Sequence, residues 1–188
     1  MKNNLLGLVA CASILVVLPV FAASNNNPTN KGTASLLNKA HQINKSEEDL
    51  ASMLSNKAGD DQALSMLATT LKEDHEANES AVKSLASQQN ITLQSYQADD
   101  ALKNKLDNLN GAAFDRAFLE HEAMDHRKAL RTFEEARRQS ETRDMKLYLD
   151  ETIPVLKAHL EMIENVRRDL AGTGSAAGAA NYHESSDR

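Results

Sequence analysis

The segment TTLKEDHEANESAVKSLA, residues 69–86, has the pattern of a helix that buries one face. It contains neither glycine nor proline, and Leu71, Val82 and Leu85 recur at the spacing of a helical apolar stripe. His75 lies in the middle of that stripe, where the core of a helical bundle ordinarily holds an aliphatic side chain. The segment therefore predicts a core helix that carries a buried imidazole.

The rest of the central sequence indicates more helices of the same kind. The whole chain is poor in residues that strands prefer, with only 4% Phe, Trp and Tyr together, and it contains only 3 prolines. Apolar residues recur at helical spacing in four long segments, which predicts helices over residues 33–57, 60–89, 113–140 and 142–170. The sequence therefore predicts an all-α protein.

A long connection separates the second and third of these helices. Residues 90–112 include one short helical segment near residues 101–109, and they far exceed the roughly two to eight residues that usually join bundle helices. A connection of this length can cross the roughly 40 Å of a long helix. It favours a ferritin-like four-helix bundle with a long, partly helical crossover between helices 2 and 3. The alternative is an up-down-up-down bundle with an elaborate loop.

The two ends of the chain have a different character from this bundle. Lys2 precedes an apolar run, and small residues end at Ala22, which is typical of a signal peptide cleaved after that residue. We therefore predict an exported, periplasmic protein with no transmembrane anchor after cleavage. The predicted organisation is a signal peptide at 1–22, a polar linker at 23–32, the bundle domain at 33–171 and a disordered tail at 172–188.

Charge and cysteine content exclude several classes of function. Removal of the leader would take away Cys11, the only cysteine, and Lys2, which leaves 20 basic against 27 acidic residues and a net charge of −7. An acidic surface argues against nucleic acid and anionic lipid as partners. No motif assigns a reaction, so the sequence leans against an enzyme. It indicates neither a protein partner nor an oligomeric state.

The four predicted helices each place one ionisable residue in an otherwise apolar seam. These residues are Glu47, His75, His126 and His159, and each lies within three residues of its helix midpoint, which is about 5 Å along the axis. A residue at the middle stays there whichever way its helix runs. We therefore expect the four side chains to meet halfway along the core. The first seam is read as Leu36, Ala40, Ile43, Glu47, Leu50 and Leu54.

Two interpretations of this cluster remain open. Three neutral imidazoles and one carboxylate suit one zinc, iron, manganese or copper ion. Asp74, Asn78 and Glu122 lie near these residues and are candidates to hold the ligands in place or to add another. In the alternative, the same four residues form a metal-free buried polar layer in a structural or stress-related interaction protein. A metalloenzyme that uses Glu122 or Asp74 as a second carboxylate is a third hypothesis.

Three segments of the chain resemble a known family. They are residues 69–86, residues 111–130 (GAAFDRAFLEHEAMDHRKAL) and residues 152–163 (TIPVLKAHLEMI). They are similar to a family of exported bacterial proteins known as domain of unknown function 4142, which is described as ferritin-like. The matching positions are Asp74-His75, Phe114-Asp115, His126, and Ile153-Pro154 with His159, where Ile153 replaces the usual leucine.

The resemblance covers most of residues 33–170 and implies the fold and export, but no established activity. Ferritin-like oxidases usually carry Glu-x-x-His on two helices. None of the helical histidines here has glutamate three residues before it. We therefore do not expect a standard di-iron carboxylate centre.

Three further residues carry expectations of their own. Pro154 should kink the fourth predicted helix, or restart it with Thr152 as the cap. His41 and His121 lie off the seams and are expected on solvated faces.

Overall fold

A computed structural model of the chain describes residues 29–183. Helices are the only regular secondary structure in this range, and the all-α prediction is confirmed. The helices are α1 (Thr29–Lys57), α2 (Gln62–Gln88), α3 (Asp100–Asp107), α4 (Gly111–Gln139) and α5 (Arg143–His183). No helix in the described range is both long enough and apolar enough to cross a membrane. The predicted signal peptide lies outside the described residues.

The outer ends of the first and last helices extend beyond the predicted boundaries. α1 begins at Thr29, inside the predicted polar linker. The backbone of α5 continues to His183, although the sequence predicts a disordered tail from residue 172. Four alanines between residues 176 and 180 favour helix and act against the glycines of this segment. The last predicted tail residues, 184–188, lie outside the described part of the chain.

The connection between α2 and α4 runs along α1. Near the start of α1, the backbone N–H of Gln94 donates to Asn38 Oδ1 at 2.7 Å. At the other end, Lys57 Nζ donates to the carbonyls of Asp107 and Leu109, both at 2.9 Å. The chain thus returns to the end where α2 began before α4 starts. α2 and α4 therefore run in the same direction.

The apolar core is divided into two clusters, and each receives side chains from all four long helices. The first cluster takes the C-terminal halves of α1 and α5 and the N-terminal halves of α2 and α4; the second takes the opposite halves. This division requires α1 and α5 to run one way and α2 and α4 the other. The first cluster includes Leu50, Leu54, Leu64, Leu71, Phe114, Phe118, Ile163 and Val166. The second includes Leu37, Val82, Leu85, Leu130, Phe133, Leu149 and Leu156.

A layer of buried polar residues separates the two apolar clusters. We call this set the polar layer: Asn44, Glu47, His75, Glu122, His126 and His159, all at most 4% exposed. Each fully buried aliphatic or aromatic side chain stabilises the fold by about 1.5–3 kcal/mol. A buried carboxylate without a partner instead costs several kcal/mol. The polar layer is therefore the part of the core that needs a compensating interaction.

The buried face of α1 differs from the predicted seam. Leu37 and Asn44 are fully buried, whereas Leu36 and Ile43 are only half-buried. The connection also covers this side of α1, since Ile91 packs on the same cluster as Leu36 and Ile43. The apolar stripe of α1 is consequently wider than one seam, and its centre lies one residue further along. This shift brings an asparagine into the polar layer.

The expected restart of a helix at Thr152 is wrong, because α5 continues through Pro154. Thr152 Oγ1 donates instead to the Tyr148 carbonyl one turn earlier, at 2.8 Å. Proline lacks the N–H that would bond the carbonyl of Asp150. Both Asp150 and Pro154 are exposed, so water can bond that carbonyl and the helix need not end.

Candidate metal centre

Three imidazoles from three helices meet in the polar layer. His75 comes from α2, His126 from α4 and His159 from α5. Their exposed fractions are 3%, 2% and 1%, and their ring centroids lie 5.3–5.8 Å apart. One nitrogen from each ring lies within 4.8 Å of the other two. The structure thus brings together the three histidines that the seams single out.

Two carboxyl groups adjoin one of these imidazoles, His126. Glu47 of α1 and Glu122 of α4 each place one oxygen within 4.8 Å of the other and of a nitrogen of His126. Glu122 is completely buried, and no hydrogen-bond donor among the described residues reaches either of its oxygens. One oxygen of Glu47 also lacks a donor. His126 is therefore shared by a group of three histidines and a group with two glutamates.

The outer hydrogen bonds of two imidazoles determine which nitrogen carries the proton. His126 Nδ1 lies 3.0 Å from the backbone carbonyl of Glu122, which can only accept. His159 Nε2 lies 2.9 Å from Asp74 Oδ2, which also accepts when ionised. In the neutral imidazoles, those nitrogens are the donors. The lone pairs of His126 Nε2 and His159 Nδ1 consequently face into the cluster.

A chain of hydrogen bonds orients His75 in the same way. The hydroxyl of Thr152 donates to the Tyr148 carbonyl, so Thr152 Oγ1 accepts from Asn78 Nδ2 at 2.9 Å. Asn78 Oδ1 then accepts from Asn44 Nδ2, also at 2.9 Å. This leaves Asn44 Oδ1 facing His75 Nδ1 at 3.0 Å. His75 Nδ1 must donate, and the lone pair of its Nε2 points into the cluster.

Three nitrogen lone pairs therefore face one another in a buried site. His126 Nε2 and His159 Nδ1 are 3.4 Å apart, with no proton to share while both rings are neutral. His75 Nε2 has no hydrogen-bond partner among the described residues. Two imidazole nitrogens on one tetrahedral zinc ion, with bonds of about 2.0–2.1 Å, lie about 3.3–3.4 Å apart. The residues present thus fit a metal ion.

Burial keeps the site in the protonation state that a metal requires. It lowers the pKa of His75 well below its usual value, and the neighbouring His159 and His126 lower it further. Burial also lowers the pKa of His126, partly opposed by the charge of Glu47. Burial first, and then the charge of Glu47, raise the pKa of Glu122 well above its usual value. Without an ion, Glu122 is expected to hold a proton.

The three candidate supporting residues make different contacts. Asp74 holds His159 from across the bundle, although its chain neighbour is His75. Asn78 contacts none of the three imidazoles by hydrogen bond and instead orients Asn44. The backbone carbonyl of Glu122 accepts a hydrogen bond from His126, and its carboxyl group lies near Glu47 and His126.

The sequence analysis missed Asn44, which is the direct partner of His75. Asn44 precedes Glu47 by three residues and so shares its helix face. That spacing was an available signal, but the predicted seam passed through Ile43.

His41 and His121 are not on solvated faces as expected, since only 11% and 17% of their side chains are exposed. His41 Nδ1 lies 2.8 Å from Glu79 Oε1, and Lys83 Nζ lies 3.1 Å from the same oxygen. Glu79 is itself buried. These two partners bond one oxygen of a third buried carboxylate, which the sequence analysis did not identify.

A family model described as "Domain of unknown function (DUF4142)" matches residues 18–166. The chain belongs to this family. The match includes every residue of the polar layer and confirms the resemblance drawn from the sequence. No curated protein and no solved structure matches the chain. The role of this DUF4142 protein must therefore be argued from the polar layer itself.

Proposed function

We propose that this protein is an exported, ferritin-like bundle that binds one transition-metal ion through His75, His126, His159 and Glu47. The observation that carries the proposal is the set of three inward lone pairs, none of which faces a donor when the rings are neutral. A metal ion would accept all three. It would also bind the carboxylate of Glu47 and so remove the cost of burying that charge.

The donor set narrows the choice of ion. Three imidazole nitrogens and a carboxylate oxygen suit zinc, iron, manganese or copper better than calcium or magnesium, which prefer oxygen ligands. A bound ion of this group acts as a Lewis acid, and iron, manganese or copper can also exchange electrons. Asp74, Asn44 and the Glu122 carbonyl would hold the three rings in the ligating orientation.

The ferritin-like and export parts of the proposal have separate support. α2 and α4 run in the same direction, and the connection between them extends along α1, which is typical of a bundle with a long crossover. Residues 1–22 have the pattern of a cleaved leader. Neither feature assigns a reaction.

The competing function is a metal-free polar layer in which the cation is a proton. A proton between His126 and His159 would turn their 3.4 Å separation into a hydrogen bond, with Asp74 as the counter-charge. One proton supplies a donor to that pair only. His75 Nε2 would still lack a partner. The metal interpretation satisfies more of the buried atoms.

The test is metal binding by the exported protein, purified without a histidine tag and stripped with a chelator. Titration with zinc, iron, manganese and copper, followed by calorimetry and elemental analysis, should show about one ion per chain for at least one metal. Binding should also raise the melting temperature, since a ligand at 100 times its dissociation constant stabilises by about 2.7 kcal/mol. If none of the four metals binds or changes the melt, the metal-free polar layer is supported instead.

Asp74→Asn should weaken metal binding without preventing it. Asparagine keeps the shape of the side chain but removes the negative charge that orients and polarises His159. Loss of such a supporting carboxylate typically costs 10–100-fold in metal affinity. We expect Asp74→Asn to lose affinity by an amount in this range. Competition with a chelating dye measures the affinity. Glu73→Gln, at the exposed neighbouring position, is the matched control and should bind as the wild type does. Equal affinities for both variants would contradict the assigned role of Asp74.

A further inference from the structure

A cavity of about 390 Å³ leads from the protein surface to the polar layer. Its rim includes the exposed residues Lys39 and Lys128, and its floor includes the buried residues Glu47, His75 and His126. Three of the four proposed ligands thus border it. His159 is not among the lining residues.

The fold itself keeps this cavity open. It lies between α1 and α4, the adjoining long helices that contact each other least. Small or short side chains line that gap, including Ser46, Ala129 and Thr132. The connection forms the outer wall, and the N–H of Gln97 donates to Gln42 Oε1 of α1 at 2.9 Å. The cavity is therefore enclosed by two helices and an anchored segment.

We propose that this cavity binds a small monoanion that coordinates the metal ion through an oxygen or nitrogen atom. The inference rests on the proposed metal site and extends it. Structural zinc sites have four protein ligands and no open position, whereas sites that exchange ligands keep room for one more and can become five-coordinate. With four protein ligands bound here, the anion would be the fifth ligand. Here the open face is the one bordered by Glu47, His75 and His126.

The charge expected of the small ligand is set by the metal ion and its protein ligands, and not by the charged residues at the rim of the cavity. The rim and walls hold Lys39 and Lys128 but also Asp99 and Asp125, so they balance. A divalent ion bound by three neutral imidazoles and the single charge of Glu47 leaves the ion and its ligands with one positive charge. The carboxylate of Asp74 bonds His159, which does not line the cavity, and Asp74 is 30% exposed, so it does not occupy the open face. A monovalent anion neutralises that charge inside a buried site, where an uncompensated charge is costly.

Cobalt(II) and azide provide the probe. Cobalt(II) has visible absorption bands that report its ligands, and azide is a small monoanion with a nitrogen donor. In the cobalt-loaded exported protein, azide should change these bands in a saturable way. Thr132→Trp fills the cavity from α4 at a position that is not a proposed ligand, and should weaken azide binding by about tenfold or more. It should leave cobalt binding unchanged.

Two further variants complete the experiment. Met124→Trp adds the same bulk at an exposed position of α4 that does not line the cavity, and should respond to azide as the wild type does. Lys39→Trp fills the outer part of the cavity from α1 if Thr132→Trp does not fold, and it leaves the Gln42 anchor of the connection in place. Cobalt binding without an azide response, or with the same response in the cavity-filled variant, would overturn this inference and leave the metal site standing. If cobalt does not bind but one of the four metals does, azide binding to that metal-loaded protein is measured by calorimetry, with the same two outcomes. Failure to bind any of these metals would overturn both proposals.

Discussion

The variant His126→Leu should lose metal binding altogether. His126 is the one imidazole that lies within reach of both the other histidines and the two glutamates. Its removal takes away one of the four proposed ligands. It also removes the only residue that the three-histidine group shares with the group containing Glu47 and Glu122. The loss of affinity should exceed the 10–100-fold expected for a supporting residue. Calorimetric titration measures it directly, and no rise in melting temperature should accompany added metal.

Stability in chelator separates this effect from simple unfolding. Leucine has a volume close to that of histidine and removes a buried polar group whose pKa burial already lowers. The metal-free variant should therefore lie within about 1–2 kcal/mol of the wild type. His121→Leu, on the same helix but outside the cluster, is the control and should keep full binding. A His126→Leu protein that still binds one ion per chain at wild-type affinity would refute the site.

The second large effect is a pH-dependent gain in stability for Glu122→Gln in the metal-free protein. The folded-state pKa of Glu122 is raised by burial and by the charge of Glu47, so between the unfolded and folded pKa values the folded chain binds the extra proton. The wild type therefore loses stability as pH rises through that window. Glutamine does not titrate. The advantage of the variant should grow by up to about 1.4 kcal/mol for each pH unit.

Urea unfolding in chelator, from about pH 5 to about pH 8, measures this difference as a function of pH. Glu120→Gln replaces an exposed carboxylate on the same helix and should change the stability little across the range. If the difference between Glu122→Gln and the wild type is the same at every pH, Glu122 does not carry a proton in the folded state.

Sequence periodicity could predict the buried histidines because their positions depend only on distance from the helix middle. His75, His126 and His159 lie in the seams that were read for them, and each is at most 3% exposed. The direction of each helix does not affect this result. The same reasoning placed Glu47 in the core. The connection between the second and third predicted helices was identified separately, from the length of residues 90–112.

Contacts that depend on helix rotation could not be predicted in this way. In its N-terminal half, the buried face of α1 lies one residue further along than the predicted seam, which buries Asn44 in place of Ile43. The partner of His159 is Asp74, 85 positions away, and only the relative rotation of α2 and α5 brings them together. The pattern of apolar residues within one helix does not specify how that helix is rotated relative to its neighbours.

The division of the chain into two helical hairpins has a consequence for how the protein is assembled. α1 with α2 carries Glu47 and His75, and α4 with α5 carries His126 and His159. Neither hairpin alone offers more than two of the four donors. An ion bound by both hairpins would link them. Its binding free energy would then include the free energy of docking the two hairpins in the correct relative position. Loosening either hairpin far from the centre would then release the ion before the helices themselves melt.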